Sequence, residues 1–272
     1  MSTVLSVQSQ VCAGHVGTSM AGFVLQRMGL DVIAVPSAVL SNHTGLPGVA
    51  DIPVHAEDLA AMVEALRANG LLDDVAAMLT GYLTPAAIPA VLDLAPHVPC
   101  WICDPVMGDV GPGTYVSDEV VAAMVEQLAP RARVLTPNLH ELGLLTGTRP
   151  ASLAGVWEAV SLLPASATVL VTSCLVDDLP DDSIAMVLSS PEGRWLATTP
   201  HLRRRFDGSG DLTAAVLTGL LLDGVAGPDL LARTAATVHA VLAATGSDHG
   251  EPDVVAAQDE LVAGHTVPVT AL

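Results

Sequence analysis

The chain has 272 residues, with 10 Lys+Arg against 29 Asp+Glu and a formal net charge of −19 at pH 7. Counterion release needs clustered cations, and the only basic cluster is Arg203, Arg204 and Arg205, so nucleic acid is excluded as an expected partner. All ten cations are arginine, and the absence of lysine excludes a Schiff base to a cofactor aldehyde, a Walker A loop and a lysine general base.

From the N-terminus, the apolar run over residues 3–8 predicts a strand, and Met20, Val24, Leu25 and Met28 then repeat at helical spacing. A strand over 32–40 follows, then a helical pattern at Leu59, Met62, Val63 and Leu66, then strands over 75–79 and 100–104. Val120, Val121, Met124, Val125 and Leu128 predict a further helix, and 133–135 and 169–172 two further strands. Apolar strands separated by helices imply a mostly parallel sheet with helices on each side. Beyond Val176 the pattern changes: 183–188 and 194–199 flank Ser189-Ser190-Pro191-Glu192-Gly193, a turn-rich link that predicts an antiparallel hairpin at the sheet edge. Helical stretches over 212–222 and 230–243 complete the pattern, and with no repeat and no long linker a single domain over 1–272 is expected.

Apolar residues make up 51% of the chain and aromatics 3%, so the core is expected to be aliphatic. Mean hydropathy is +0.54, yet no run approaches the roughly 18 uninterrupted apolar residues of a membrane span. Residues 1–6 lack the cationic start and apolar stretch of a secretion signal, which makes the cytoplasm the expected location. Cys100 and Cys103 have C-x-x-C spacing. On a strand, residues three apart point to opposite faces, which suits two small buried hydrophobes better than a redox or zinc pair.

In an open parallel sheet, ligands bind beyond the carboxyl ends of the strands. Ser9, Ser41-Asn42-His43-Thr44, Thr80-Gly81-Tyr82, Asp104, Thr136-Pro137-Asn138 and Thr172-Ser173 fall at the six predicted ends. Individually such residues cap helices and fill turns; jointly they describe a polar rim.

Phe206-Asp207-Gly208-Ser209-Gly210-Asp211 precedes an apolar helix, and glycines there leave backbone N–H groups able to approach an anion. Asp211 is open to two readings, a helix N-cap or the base for a substrate hydroxyl. Asp104, Asp109 and Glu141 offer oxygen ligands suited to Mg²⁺. Asn138 and Glu141, three apart at a helix start, can face one site, and dipole compensation is the structural alternative for Glu141.

These motifs, with Val7-Gln8-Ser9, Gly14-His15-Val16-Gly17, Ser41-Asn42-His43-Thr44-Gly45, Cys103-Asp104-Pro105-Val106-Met107-Gly108 and Gly208-Ser209-Gly210-Asp211, resemble those of pyridoxal kinases of the ribokinase-like superfamily across nearly the whole chain. The resemblance implies a three-layer α/β/α sandwich with an antiparallel edge hairpin, and transfer of the γ-phosphoryl of ATP to the 5′-hydroxymethyl group of pyridoxal. It assigns Asp211 as base and the Gly208, Ser209 and Gly210 amides as the phosphoryl cradle. Ser9 and Thr44 would contact the ring, and Val16, His43 and Tyr82 would shape its pocket. Asp104, Asn138, Thr172, Ser173 and Ser209, with Gly210, match nucleotide-contacting positions, and Tyr115 lies in the lid over ATP. Asp109, Thr136 and Glu141 match positions that manage Mg²⁺ and a monovalent cation, K⁺ or Na⁺. Partners implied are pyridoxal, ATP and a second copy in a homodimer, with no membrane. Two other readings are a hydroxymethylpyrimidine kinase of the same fold, whose members often carry cysteine at the Asp211 position, and a non-catalytic pyridoxal-binding protein.

Overall fold

A computed structural model describes residues 2–246 and 250–272. Strands β1 (Thr3–Val11), β2 (Asp31–Leu40), β3 (Asp51–Ile52), β4 (Val75–Thr80) and β5 (Trp101–Cys103) belong to the main sheet. Strands β6 (Gly108–Asp109) and β7 (Gly113–Thr114) form a separate two-stranded ribbon. Strands β8 (Val134–Leu135), β9 (Thr168–Cys174), β10 (Ser183–Ser190), β11 (Gly193–Pro200) and β12 (Val269–Ala271) complete the main sheet, in the order β12-β11-β10-β9-β8-β5-β4-β1-β2-β3. The six central strands, β9 to β2 in that order, pair in parallel; β10 to β12 and β3 are antiparallel.

Side-chain alternation along these strands separates two cores. Leu5, Val7, Met78, Cys103, Leu135 and Val169 face helices α2 (Ala56–Ala68), α3 (Ile88–Leu94), α4 (Asp118–Ala123), α5 (Leu139–Thr146) and α6 (Leu153–Val160). Val4, Leu79, Ile102, Val134 and Leu170 face α1 (Thr18–Arg27), α7 (Ser209–Leu222) and α8 (Gly227–Ala244). The result is the three-layer α/β/α sandwich with a mostly parallel sheet expected from the sequence. Helix α7 is buried at every residue from Leu212 to Leu220 and packs between α1 and α8. A helix apolar all round belongs in an interior, and this one holds its N-terminus rigidly at the carboxyl ends of the strands.

Several boundaries differ from expectation. The β10–β11 hairpin is not the sheet edge, because β12 pairs with β11 outside it. The helix expected through Leu128 is α-helical only to Ala123 and continues as a π turn over Met124–Leu128 and a 3₁₀ turn over Ala129–Arg131. Helix α3 has only seven residues and lies between 3₁₀ turns containing Pro85 and Pro96, which obscures its periodicity.

Strands β1 and β9 run past the predicted ends, so Ser9, Thr172 and Ser173 lie within strands. Each sits at a bulge. Ser9 faces two β2 residues between the Gln8–Pro36 and Gln10–Val39 pairs. Thr172 and Ser173 together oppose one β10 residue between Val171–Val187 and Cys174–Ala185. Ser173 has φ of 53°, uncommon for a non-glycine residue. Bulges of this kind re-aim side chains next to sites. Cys103 is buried in the first core, Cys100 packs against the second, and all four cysteines are free, in agreement with the opposite-face reading. Burial pushes the Cys103 thiol up to about 12, an unreactive state.

Candidate active site

The carboxyl ends of the parallel strands open into a cavity of about 650 Å³. Every site residue expected from the sequence lines it, although they come from nine separate stretches between Ser9 and Asp211.

One wall is the start of α7. Gly208 is the N-cap, with φ 90° and ψ 0°, and has no side chain to cap the helix; Ser209 N donates to the Phe206 carbonyl at 3.3 Å, a long bond that a phosphate oxygen at this helix start can replace. A Cβ on Gly208 would lie 2.5 Å from the His15 carbonyl oxygen. Gly208→Ala therefore combines left-handed strain with a backbone clash; we expect it to cost about 1–3 kcal/mol of stability and most of the activity, read by thermal unfolding and turnover. Asp211 is the third residue of α7, not its cap, which decides against the capping reading. Enclosure in the pocket raises its carboxyl to about 6, partly opposed by a hydrogen bond from the Gly17 backbone N–H.

Opposite lies an acidic wall. Asp104, 4% exposed, accepts a 2.7 Å hydrogen bond from Thr136 Oγ1. Its carboxyl is raised to about 7, first by burial and then by the Asp211 charge. Asp104 Oδ2 is 3.7 Å from where a Cβ on Gly210 would stand, which brings this wall against the glycine turn. Glu141 closes a capping box on α5: Asn138 Oδ1 accepts from Glu141 N at 3.0 Å, and Glu141 Oε2 accepts from Asn138 N at 2.9 Å. Its other oxygen accepts from Met107 N at 3.1 Å, and Asn138 Nδ2 donates to the Gly108 carbonyl at 2.9 Å. Glu141 thus supports α5 and the loop after β5 at once, and burial still raises its carboxyl well above the usual range. No cationic side chain among the described residues offsets the burial of Asp104, Glu141 or Asp211. Nor do three or more His, Cys, Asp or Glu residues approach closely enough to cage a metal among the described residues. The expected set Asp109, Thr136 and Glu141 lines the same pocket, with Asp109 on the ribbon.

The β6–β7 ribbon leans over this wall. Tyr115 N donates to the Met107 carbonyl, Thr114 Oγ1 is 3.0 Å from His140 Nε2, and Tyr115 itself is half-exposed at the rim.

The third wall is less polar. Val16, Thr44 and Tyr82 line it with Ser9 and Leu40, and Ser37 Oγ ties down the Tyr82 carbonyl at 2.6 Å. His43 Nδ1 accepts from Gly45 N at 3.2 Å, so the ring proton is assigned to Nε2, which faces Glu251 Oε1 at 3.1 Å. Glu251 also accepts from His15 N at 2.7 Å, and Asp207 Oδ2 lies 3.5 Å from His43 Nδ1. The roles of Asp207 and Glu251 escape sequence reasoning. Asp207 sits in the glycine motif without a distinguishing pattern, and Glu251 lies beyond the last helix.

The chemistry available is phosphoryl transfer to a hydroxyl: uncapped helix amides, an adjacent carboxylate, oxygen donors for a cation and an enclosed ring-sized wall. A family profile described as phosphomethylpyrimidine kinase matches residues 25–255. The chain is 38% identical to the pyridoxal kinase of Rubrobacter xylanophilus, covering 96% of this chain and 93% of that one. With the pyridoxal kinase of Corynebacterium diphtheriae it shares 34% identity over 89% of each. Among solved structures it resembles the pyridoxal kinase of Leishmania donovani in complex with ADP and pyridoxamine, at TM-score 0.89 and 31% identity over 99% of each chain. These neighbours share the ribokinase-like fold.

Proposed function

The chain belongs to the pyridoxal kinases within the phosphomethylpyrimidine kinase family, and from that premise we propose how its pocket carries out ATP-dependent phosphorylation of a B6 vitamer. The reaction moves the γ-phosphoryl of ATP to the 5′-oxygen of pyridoxal. The O–H bond of the hydroxymethyl group breaks, an O–P bond forms, and ADP leaves with the electrons of the cleaved P–O bond. Asp211 receives the hydroxyl proton and releases it to solvent. The Gly208, Ser209 and Gly210 turn holds the phosphoryl oxygens, with α7's dipole favouring negative charge there.

Ser9 and Thr44 orient the ring, with Val16, His43 and Tyr82 as its walls. Burial raises the Tyr82 phenol, so that wall stays neutral. Asp104, Asn138, Thr172, Ser173, Ser209 and Tyr115 hold the nucleotide. The observation that carries the reading is the convergence of all these residues on one cavity, with Asp211 inside the first turn of an uncapped helix.

Mg²⁺ fits the donor set: it is usually held by one or two carboxylates together with phosphate oxygens and water, and Asp104, Asp109, Glu141 and Thr136 present oxygen only. When bound it would neutralise phosphate charge. A monovalent cation, K⁺ or Na⁺, belongs to the same proposal. The single-domain, cytoplasmic and homodimeric expectations are carried with it. Among the described residues no helix is long and apolar enough to cross a membrane.

The family profile's description names a pyrimidine acceptor, which keeps the hydroxymethylpyrimidine reading of the sequence in view as a competitor. Comparison of kcat/KM for pyridoxal and hydroxymethylpyrimidine, each with Mg²⁺ and ATP, tests the reading. Preference for pyridoxal is expected. Turnover of the pyrimidine alone would reassign the acceptor, and binding of pyridoxal without any product would leave a binding protein.

A further inference from the structure

The cavity has to admit a polyphosphate, yet Asp104, Asp109, Glu141, Asp207 and Asp211 all line it. Against these five carboxylates stands, among the described residues, a single lining arginine, Arg205, in a chain without lysine. The sequence shows three adjacent arginines, but the structure sends them in three directions. Arg203 donates to the Asp181 carbonyl at 3.3 Å. Arg204 donates to the carbonyls of Leu242, Thr245 and Gly246 and lies over the Phe206 ring, 4.3 Å from its centroid, so it is committed to the end of α8.

Arg205 turns toward the cavity. Its Nε donates to Asp207 Oδ1 at 3.0 Å, and its Nη2 is 3.9 Å from Asp109 Oδ2. Asp207 immediately precedes the Gly208 turn and Asp109 belongs to the ribbon, so the guanidinium bridges the two edges between which a phosphate chain must pass. Half of the side chain is exposed, and ion pairs in that setting are weak. A phosphate carries more charge and offers a bidentate edge to the same fork.

We propose that Arg205 is a nucleotide-phosphate ligand, positioned by Asp207 and exchanging its Asp109 contact for the β- or γ-phosphoryl oxygens. This inference rests on the kinase reading.

Binding of AMP, ADP and ATP in EDTA, where no Mg²⁺ contributes, isolates the effect. The parent should bind more tightly as phosphates are added. In Arg205→Gln the affinity for ADP or ATP should fall on the order of 10- to 100-fold while AMP binding stays within about twofold, and Arg205→Lys should recover part of the loss. Arg203→Gln, tied to a carbonyl away from the cavity, should match the parent. Unchanged ATP affinity and unchanged KM for ATP in Arg205→Gln, or a parent that binds ATP only when Mg²⁺ is restored, would overturn the inference alone; failure of the parent to bind ATP even with Mg²⁺ restored would overturn the kinase reading together with it.

Discussion

Asp211→Asn is expected to lower pyridoxal turnover on the order of 10²-fold or more while leaving ATP binding nearly intact. The substitution preserves shape while removing the negative charge and with it the ability to take a proton. Because Asp211 is the third residue of α7 and caps nothing, no loss of helix capping should accompany it. The pH profile provides an independent readout. The proposed base must be ionised to act, and its carboxyl is raised to about 6, so the parent's turnover should rise with pH through about 6, with a further rise through about 7 as Asp104 ionises. The residual activity of Asp211→Asn should lack the limb at about 6. Equal turnover in the two proteins would remove Asp211 from the chemistry.

The second large effect has opposite signs for stability and function. Asp104 is buried, faces Asp211 and has no cationic partner among the described residues, and its carboxyl is raised from 3.8 to about 7. A raised carboxyl favours the folded state when protonated. Its contribution is fully present below about pH 4 and is lost as pH rises through about 7. Asp104→Asn keeps an acceptor for Thr136 Oγ1 and removes the charge, so it should stabilise the nucleotide-free protein by about 1–4 kcal/mol at pH 8. Turnover should fall about tenfold or more, because the proposed function assigns the same carboxylate to the nucleotide and its cation. Thermal unfolding across pH 4.5–8.5 separates these effects: the parent should lose more stability than Asp104→Asn toward high pH. A variant less stable than the parent at pH 8 would contradict the claim that this charge is buried uncompensated.

The parallel core of the fold is legible because its strands are apolar runs and its longer helices keep a 3.6-residue period. Val4 and Leu5, adjacent in sequence, already imply the two cores they enter. Most of the site is legible for a related reason, since polar residues at the carboxyl ends of buried strands stand out against apolar surroundings. The same contrast misplaces Ser9 and Ser173 at strand ends when they are held within strands at bulges, a matter of pairing register that one strand's sequence does not reveal. Long-range partners are invisible for the same reason. Glu251 meets His43 across 208 positions, and nothing near Glu251 signals it. The arginine triplet reads as one basic patch, whereas the left-handed φ of 53° at Arg203 and the carbonyls at the end of α8 split it. Glu141 stands in the first turn of α5, where the dipole reading puts it, and also lines the cavity, so the structural role and a place at the site coincide in one side chain.

The central claim is phosphoryl transfer to the 5′-oxygen. ³¹P NMR of the chain with Mg²⁺, ATP and pyridoxal tests it most directly. The account predicts loss of the γ-phosphorus signal, gain of ADP and one new phosphomonoester matching pyridoxal 5′-phosphate, with the ester signal suppressed in Asp211→Asn. Inorganic phosphate without an ester, or an ester on the ring hydroxyl, would contradict it.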